Sequence, residues 1–244
     1  MKGFVLLLIL VLIGLALYFG FFKNARGPTE EQKQWALATC GVLTERNRGR
    51  HDLLGTCEKT EANAAKQQRL LKKWWDIENR RDLLDSLKWV QDGGHREGFE
   101  AMGARLTSLS PQELSALEAQ TNNDPQQRNQ IAIVFKHYRA LGDKSLKGWD
   151  YSRYVALCGW GYVAGYLSEK EAWDRIMPMA RLIQKTFDSW EELGRNYLIG
   201  RAYWSLAQTQ KSGDLYRRAV KQLCSRPNSP WIKLPWNLDL GGKH

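Results

Sequence analysis

The sequence has few residues that could bind a metal or act as a nucleophile, and they are scattered. Its 4 histidines and 4 cysteines include no Cys-x-x-Cys pair and no His-x-x-x-His pair, which are typical zinc-binding spacings. We therefore predict no metal and no cofactor. No stretch alternates apolar and polar residues as a half-buried strand does, and no glycine-rich phosphate loop follows a strand. These absences predict an all-α protein with no recognisable catalytic constellation.

The four cysteines allow two interpretations. Cys40 and Cys57 could form a disulfide if the domain faces an oxidising compartment. They could equally remain reduced thiols. Cys158 lies in an apolar segment with no base in view, so we predict that it is a small core residue.

Residues 3–22 contain no charged residue. A helix of this length spans about 30 Å at 1.5 Å per residue, the thickness of the hydrocarbon core of a bilayer. A cleaved signal peptide would have an apolar region of only about 7–15 residues and a small-x-small cleavage site. No A-x-A triplet directly follows this longer run. We therefore predict a single transmembrane helix at residues 3–22, with the lipid bilayer as its partner.

The sequence predicts the location of this anchor, a bacterial inner membrane, more clearly than its orientation there. Lys2 lies on the N-terminal side, whereas Lys23, Arg26 and Lys33 lie on the C-terminal side. Lysine and arginine are enriched on the cytoplasmic side of membrane proteins. The balance favours a cytoplasmic domain only slightly.

The chain is basic, with 36 Lys and Arg against 26 Asp and Glu, a net charge of +10. Nucleic-acid-binding surfaces concentrate such charge on one face, but here it is spread along the sequence. Anionic lipid attracts each nearby Lys or Arg by about 1 kcal/mol. We predict a solvated or lipid-facing basic surface and no nucleic-acid partner. A weaker alternative is binding of nucleic acid or lipid headgroups by the basic loop at residues 46–50.

Helix-start and helix-stop signals predict about eight to nine helices after the anchor. Capping boxes begin helices at Thr29, Ser110 and Ser168. The predicted organisation is an anchor with its flanks, a juxtamembrane helix and basic loop, a helical domain, and an extended Pro/Trp tail, at residues 1–26, 27–60, 61–226 and 227–244. The tail should lie extended on the surface or in a groove, with Trp231 and Trp236 available to a protein partner.

Two helices contain glycine within an apolar stripe. In residues 148–166 the stripe includes Gly161 and Gly165, and in residues 189–207 it includes Gly200. Glycine lowers helix propensity by about 1 kcal/mol relative to alanine, so it is expected where another backbone approaches closely. We predict that the two helices pack face to face with their glycines at the crossing. The guanidinium of Arg201 should then lie against Tyr197 and Trp204, which are one helical turn away.

Several polar residues of these helices could form one site. They are Asp150, Arg153, Glu171, Arg195 and Arg201, with His95 a possible neighbour. One interpretation is a buried ion-pair network that fixes helix register. The other is an anion pocket, because arginine presents bidentate donors to carboxylate or phosphate.

The motifs of this region resemble a known family. They are Trp149-Asp150-x-x-Arg153, Gly159-Trp160-Gly161-Tyr162, Gly165-Tyr166-Leu167-Ser168-x-x-Glu171-Ala172-Trp173 and Ser189-Trp190-x-x-x-Gly194-Arg195-x-Tyr197-Leu198-x-Gly200-Arg201-x-x-Trp204. Over roughly residues 70–208 the sequence resembles the bacterial domain of unknown function 1266. The resemblance implies a bacterial helical domain and assigns it no activity.

The sequence therefore favours a non-enzymatic, membrane-tethered interaction protein, accessory to a stress, chaperone or toxin–immunity system. The anchor, the missing catalytic constellation and the aromatic tail support this hypothesis. The alternative is an enzyme or a small-anion receptor that uses the Asp/Arg cluster.

Overall fold

The computed structural model describes residues 27–241, apart from Asn122 and the side chain of Glu118. The predicted anchor at residues 3–22 lies outside the described residues. Among the helices that are described, none combines the length and the apolar character needed to cross a bilayer.

The described residues form an all-α fold, which confirms the predicted fold class. Between residues 27 and 241 the structure describes twelve α-helices and two 3₁₀ turns, and ten of these helices have nine or more residues. The helices are α1 Glu30–Ala38, α2 Gly41–Arg46, α3 Glu61–Trp75, α4 Arg80–Asp92, α5 Gly94–Ser108, α6 Pro111–Gln120, α7 Pro125–Leu141, α8 Lys147–Val163, α9 Glu169–Thr186, α10 Trp190–Trp204, α11 Leu206–Ser225 and α12 Pro230–Lys233, and the 3₁₀ turns are Leu54–Thr56 and Gly142–Lys144.

The helix count exceeds the eight to nine predicted, in part because the N-terminal helical pattern is divided and the tail contains the short helix α12. The N-terminal pattern breaks between α1 and α2 at Thr39 and Cys40, where the Thr39 hydroxyl donates to the carbonyl of Ala36. Ser205 separates α10 from α11, because its extended backbone ends α10 and its side chain caps α11. The predicted capping boxes at Thr29, Ser110 and Ser168 are all formed.

Helix α8 is the centre of the fold. Nearly every residue from Gly148 to Val163 is buried, because α4, α9, α10 and the Leu54–Thr56 turn pack around it. A helix that is covered on all sides can be apolar on all sides, which explains its low charge content. A smaller apolar cluster, built around Phe99 and Tyr203, joins α5, α6 and α7 to α10.

Helices α8 and α10 do pack together, but the predicted glycine-to-glycine crossing is not formed. A Cβ at Gly200 would overlap the Cβ of Trp149, so Gly200 is the point of close approach. Gly161 instead faces Leu83 of α4. Gly165 lies beyond the end of α8 with a φ of +85°. The glycine-containing stripe of α8 was predicted to face α10, but Gly161 faces α4. The sequence does not distinguish these neighbours, because helices pack on every side of α8.

The C-terminal segment is not the exposed aromatic surface that the sequence suggested. Residues 230–233 form the short helix α12, and Trp231 is buried in the core. Its ring stacks on Trp190 at a centroid distance of 5.8 Å, and its Nε1 donates to the carbonyl of Ala38 at 2.8 Å. The Nε1 of Trp236 donates to the carbonyl of Phe187 at 3.0 Å. These stacking and hydrogen-bond contacts of the two indoles hold the tail against the rest of the domain.

The disulfide considered from the sequence is not formed. Cys40 and Cys57 are both free thiols. Burial raises the pKa of Cys40 to about 11, and its Sγ donates to the carbonyl of Leu37. Cys158 is fully buried, as predicted.

Candidate functional site

A cleft of about 1280 Å³ lies among α2, α3, α4, α8, α10 and α11. Buried side chains from the two central helices line it: Trp149 and Arg153 from α8, and Tyr197 and Arg201 from α10. The close approach at Gly200 brings these four residues together, because it sets α10 directly against Trp149. We refer to this group of four as the cleft floor.

A buried carboxylate supports the floor from below. Asp150 is fully buried, and its carboxylate accepts hydrogen bonds from the guanidiniums of Arg153 at 2.5 Å and Arg96 at 3.3 Å. The backbone N–H groups of His95 and Arg96 also donate to it, at 3.2 and 3.1 Å. Gly94 makes this approach possible, because a Cβ there would collide with the carboxylate.

The Asp150 carboxylate remains ionised. Burial by itself would raise the pKa of Asp150, but hydrogen bonding to His95 and Arg96 and the charge of Arg153 bring it below its ordinary value. Because one carboxylate faces two guanidiniums, the buried group retains a net positive charge.

Arg153 and His95 form the end of the cleft near α4. The Arg153 guanidinium lies over the rings of Trp149, at 4.2 Å from the ring centroid, and of Trp75, at 5.1 Å. Its Nη2 contacts the Nδ1 of His95 at 2.8 Å. Arginine can only donate, so Nδ1 accepts and the proton of the neutral ring is on Nε2. The 3.8 Å separation of Nδ1 from Asp150 is too long for a competing hydrogen bond. Burial lowers the pKa of His95, which favours this neutral form.

Arg201 is the least compensated charge of the floor. Its side chain is almost fully buried, and it donates to the Thr209 hydroxyl at 3.1 Å, the Gln208 carbonyl at 2.9 Å and the Ser212 hydroxyl at 2.8 Å. The guanidinium lies over the ring of Tyr216 at 3.9 Å. All these partners are neutral, and no carboxylate of the described residues lies within ion-pair distance.

The cleft also contains buried donors without acceptors. Within the described residues, five buried side-chain polar atoms have no hydrogen-bond partner, and three of them belong to cleft residues: Trp149 Nε1, Tyr197 OH and Arg46 Nε. Arg46 lies over the Tyr216 ring at 5.7 Å, so this ring is shared by two guanidiniums. Burial raises the pKa of Tyr197 well above its ordinary value, which keeps its hydroxyl a donor.

The structure divides the polar cluster that the sequence suggested. Arg153 and Arg201 line the cleft, with Asp150 beneath them. Glu171 instead pairs with Arg80 at 2.6 Å, at the start of α9. Arg195 pairs with Glu191 at 2.7 Å on the exposed face of α10. The Arg201 ring partner is Tyr216 of α11 rather than Tyr197 or Trp204, because the guanidinium turns toward the following helix.

Sequence reasoning missed two contributors, Arg96 and Tyr216, and placed a third, Arg46, in a separate basic loop. Arg46 and Arg96 are far along the chain from α8 and α10, and Tyr216 lies on the helix after α10, so no spacing within one helix relates them to the floor. Among the described residues, no group of three or more His, Cys, Asp or Glu is placed to hold a metal ion.

Comparison with known proteins identifies the family of this chain. The family described as "Protein of unknown function (DUF1266)" matches residues 70–236. Two Escherichia coli (strain K12) proteins are also similar. "Uncharacterized protein YbeU" is 27% identical over 177 residues, which cover 66% of this chain and 73% of that protein. "Uncharacterized protein YbeR" is 29% identical over 131 residues, which cover 53% of this chain and about half, 54%, of that protein. No solved structure matches significantly. Since the family match spans well over half of its length, this chain belongs to the DUF1266 family.

Proposed function

We propose that the protein is a membrane-tethered, non-enzymatic receptor whose cleft binds an anionic group of a ligand. One observation carries the proposal. Arg201 is 4% exposed, it has only neutral partners, and it opens onto a large cleft.

The physical argument concerns the cost of a buried charge. A buried guanidinium without a counter-ion is destabilising, because its hydration is lost and no ion pair replaces it. An anion in the cleft would supply that pair. Trp149 Nε1 and Tyr197 OH, two buried donors that have no acceptor in the protein, belong to residues that line the same cleft and could turn toward that anion. Hydrogen bonds to charged groups contribute about 1.5–3 kcal/mol each.

The chemistry of the floor favours binding over catalysis. Its free groups are donors: guanidinium, indole N–H and a phenol that burial keeps protonated. The imidazole of His95 already uses Nδ1 to accept from Arg153, so it is not available there as a base. Burial also raises the pKa of the cleft thiol, Cys57, which suppresses the nucleophilic thiolate.

The tethering part of the proposal rests on the uncharged run at residues 3–22. With the charge balance around it, we propose a bacterial inner-membrane location with the domain in the cytoplasm. Alkaline phosphatase, which folds only in an oxidising compartment, tests this when fused to the C-terminus. An inactive but expressed fusion supports the proposal, and an active fusion contradicts it.

Anion binding is tested with the full-length chain in a non-ionic detergent. Thermal unfolding is measured during titration with sodium phosphate or sodium citrate at constant ionic strength. We expect a saturable rise in Tm, and Arg201→Gln should weaken the apparent affinity roughly 10- to 100-fold, the equivalent of one charged hydrogen bond. Arg195→Gln is the matched control, because Arg195 lies on the exposed face of the same helix. An Arg201→Gln protein with unchanged anion affinity would refute the proposal.

A second variant tests the site without removing a charge. Tyr197→Phe deletes only the unpaired hydroxyl. Removing an unsatisfied buried polar group should leave the free protein as stable or more stable. The same change should weaken anion binding. If Tyr197→Phe lowers stability and leaves anion binding intact, the hydroxyl serves the fold rather than a ligand.

A further inference from the structure

We infer that the occupant of the cleft is an acidic segment of a partner polypeptide, with one of its carboxylates seated at Arg201. This inference rests on the proposed anion-binding function and names the kind of partner. Charge, size and the distribution of exposed apolar side chains around the cleft carry the argument.

Several cations without an ion-pair partner line the cleft. Six of its lining cations have no carboxylate partner among the described residues: Arg46, Arg48, Lys66, Lys73, Arg201 and Lys211. The two acidic lining residues are already engaged, Asp76 with Lys72 at 2.6 Å and Asp85 with Arg81 at 3.9 Å. Basic residues from α2, α3, α10 and α11 therefore meet in one cleft. A cleft lined by one sign of charge attracts the opposite sign and accelerates its association.

The size of the cleft indicates an extended ligand. Small-molecule pockets usually enclose about 300–1,000 Å³, and this cleft has about 1280 Å³. Its unpaired cations extend from Arg201 at the floor to Lys66 and Lys73 on the exposed side of α3. One small anion can satisfy the floor but leaves the outer lysines uncompensated. A chain with several carboxylates reaches both.

The rim of the cleft adds apolar contacts. Trp74 and Leu70 of α3 are 54% and 38% exposed, and Trp89 of α4 is 42% exposed. Leu70 and Trp74 are one helical turn apart and so lie on one face of α3. Exposed tryptophans at the edge of a cleft are typical anchors for a protein partner. A peptide that carries both acidic and apolar side chains fits this combination of lysine and tryptophan.

A single-stranded nucleic acid, the other extended polyanion, fits less well. Its bases bind by stacking on free aromatic faces. In this cleft Trp149 and Trp75 already lie under the Arg153 guanidinium. The ring of Tyr216 is in contact with the guanidiniums of both Arg46 and Arg201. The deep rings are therefore occupied by the protein's own cations, whereas the free groups at the floor are cations and N–H or O–H donors, which suit carboxylates.

The test measures fluorescence anisotropy of a labelled peptide of alternating glutamate and leucine, titrated with the full-length chain in non-ionic detergent. An oligothymidylate of equal charge is the parallel probe. We expect saturable peptide binding that weakens with added salt, with the oligothymidylate bound more weakly. Arg201→Gln should weaken peptide binding at least tenfold. Lys73→Glu should weaken it roughly two- to tenfold, as expected for reversal of a rim charge. Lys170→Glu, an exposed lysine of α9 paired with Asp174, is the control and should leave binding unchanged.

Each of the other possible outcomes would overturn a specific part of the proposal. Tighter binding of the oligothymidylate would replace the peptide by nucleic acid. If phosphate and citrate bind through Arg201 but the peptide binds no more tightly than free glutamate, the anion site stands and the peptide inference fails. If the peptide binds equally well to the Arg201→Gln protein, no carboxylate is seated at that residue. If neither small anions nor the peptide bind, both proposals fail together.

Discussion

Gly200 is the residue on which the contact between α8 and α10 depends, so Gly200→Ala is the sharpest test of the arrangement that builds the cleft. The added methyl group would overlap the Cβ of Trp149. A Cβ is fixed to its backbone, so no rotation of the Trp149 side chain relieves the overlap. The two helices must move apart, and the packing of Trp149 on Tyr197 and Trp204 is loosened.

Two effects of opposite sign decide the magnitude. Alanine stabilises a helix interior by about 1 kcal/mol relative to glycine. Overpacking a well-packed core costs about 1–3 kcal/mol and sometimes more. Because the overlap involves an atom next to the backbone, we expect the steric cost to exceed the gain in propensity. The expected net loss of stability is about 1–2 kcal/mol, which lowers the Tm by roughly 2–8 °C for a domain of this size.

The assay is thermal unfolding of the full-length chain in non-ionic detergent, followed by far-UV circular dichroism. Gly98→Ala is the matched control. Gly98 lies on the exposed side of α5, and a Cβ there would meet only the Tyr203 hydroxyl at 3.4 Å. The same chemical change should therefore stabilise the protein at Gly98, by about 0.5–1 kcal/mol. A Gly200→Ala protein as stable as the Gly98→Ala protein would refute the close approach of α8 and α10.

Two further predictions concern the tail and the pH dependence of stability. Trp231→Ala should destabilise the fold by about 3–5 kcal/mol, because Trp231 is buried. Trp74→Ala at the exposed rim should change stability by no more than about 0.5 kcal/mol. Urea denaturation measures both changes, and equal losses of stability would contradict the packing of the tail on the domain. Burial lowers the pKa of His95 from its ordinary 6.5, so the unfolded chain binds the proton more readily. The stability that neutral His95 contributes is then complete above pH 6.5, falls as the pH drops toward the lowered pKa, and levels off below it. His95→Asn, which keeps an acceptor near Arg153, should reduce this acid destabilisation in pH-dependent melting curves. His137→Asn should leave the His95 component in place, and identical pH profiles for His95→Asn and the unchanged protein would refute the assignment.

Much of the candidate site was beyond the reach of the sequence. Asp150 and Arg153 are three residues apart on one helix, so their pairing follows from helix geometry. Arg195 and Arg201 both belong to the family motif in the sequence, yet one is exposed and the other buried. They lie about 120° apart around α10, and the packing of α11 decides which of these two faces is covered: it buries Arg201 and leaves Arg195 with Glu191.

The tail illustrates the same limit. Its prolines and tryptophans predicted an extended segment with exposed aromatic anchors, but residues 230–233 are helical and Trp231 is buried. Whether the anchors face a partner or the protein's own core depends on the cavity into which they fit. That cavity is built by α1 and α10, from residues far away in sequence, and Trp231 fills it between Ala38 and Trp190.

The sequence by itself determined most of the helices and their capped starts, since capping and periodicity act over a few neighbouring residues. It also determined the family, because the motif from Trp149 to Trp204 is local in two adjacent segments. The tertiary structure alone decided which cations lack a partner. Whether a guanidinium is compensated depends on carboxylates brought near by folding, and the sequence spreads Arg46, Lys73 and Arg201 over separate helices. Packing around α8 gathers these three in one cleft. The sequence therefore shows the surplus of positive charge, and only the fold shows which cations lie together.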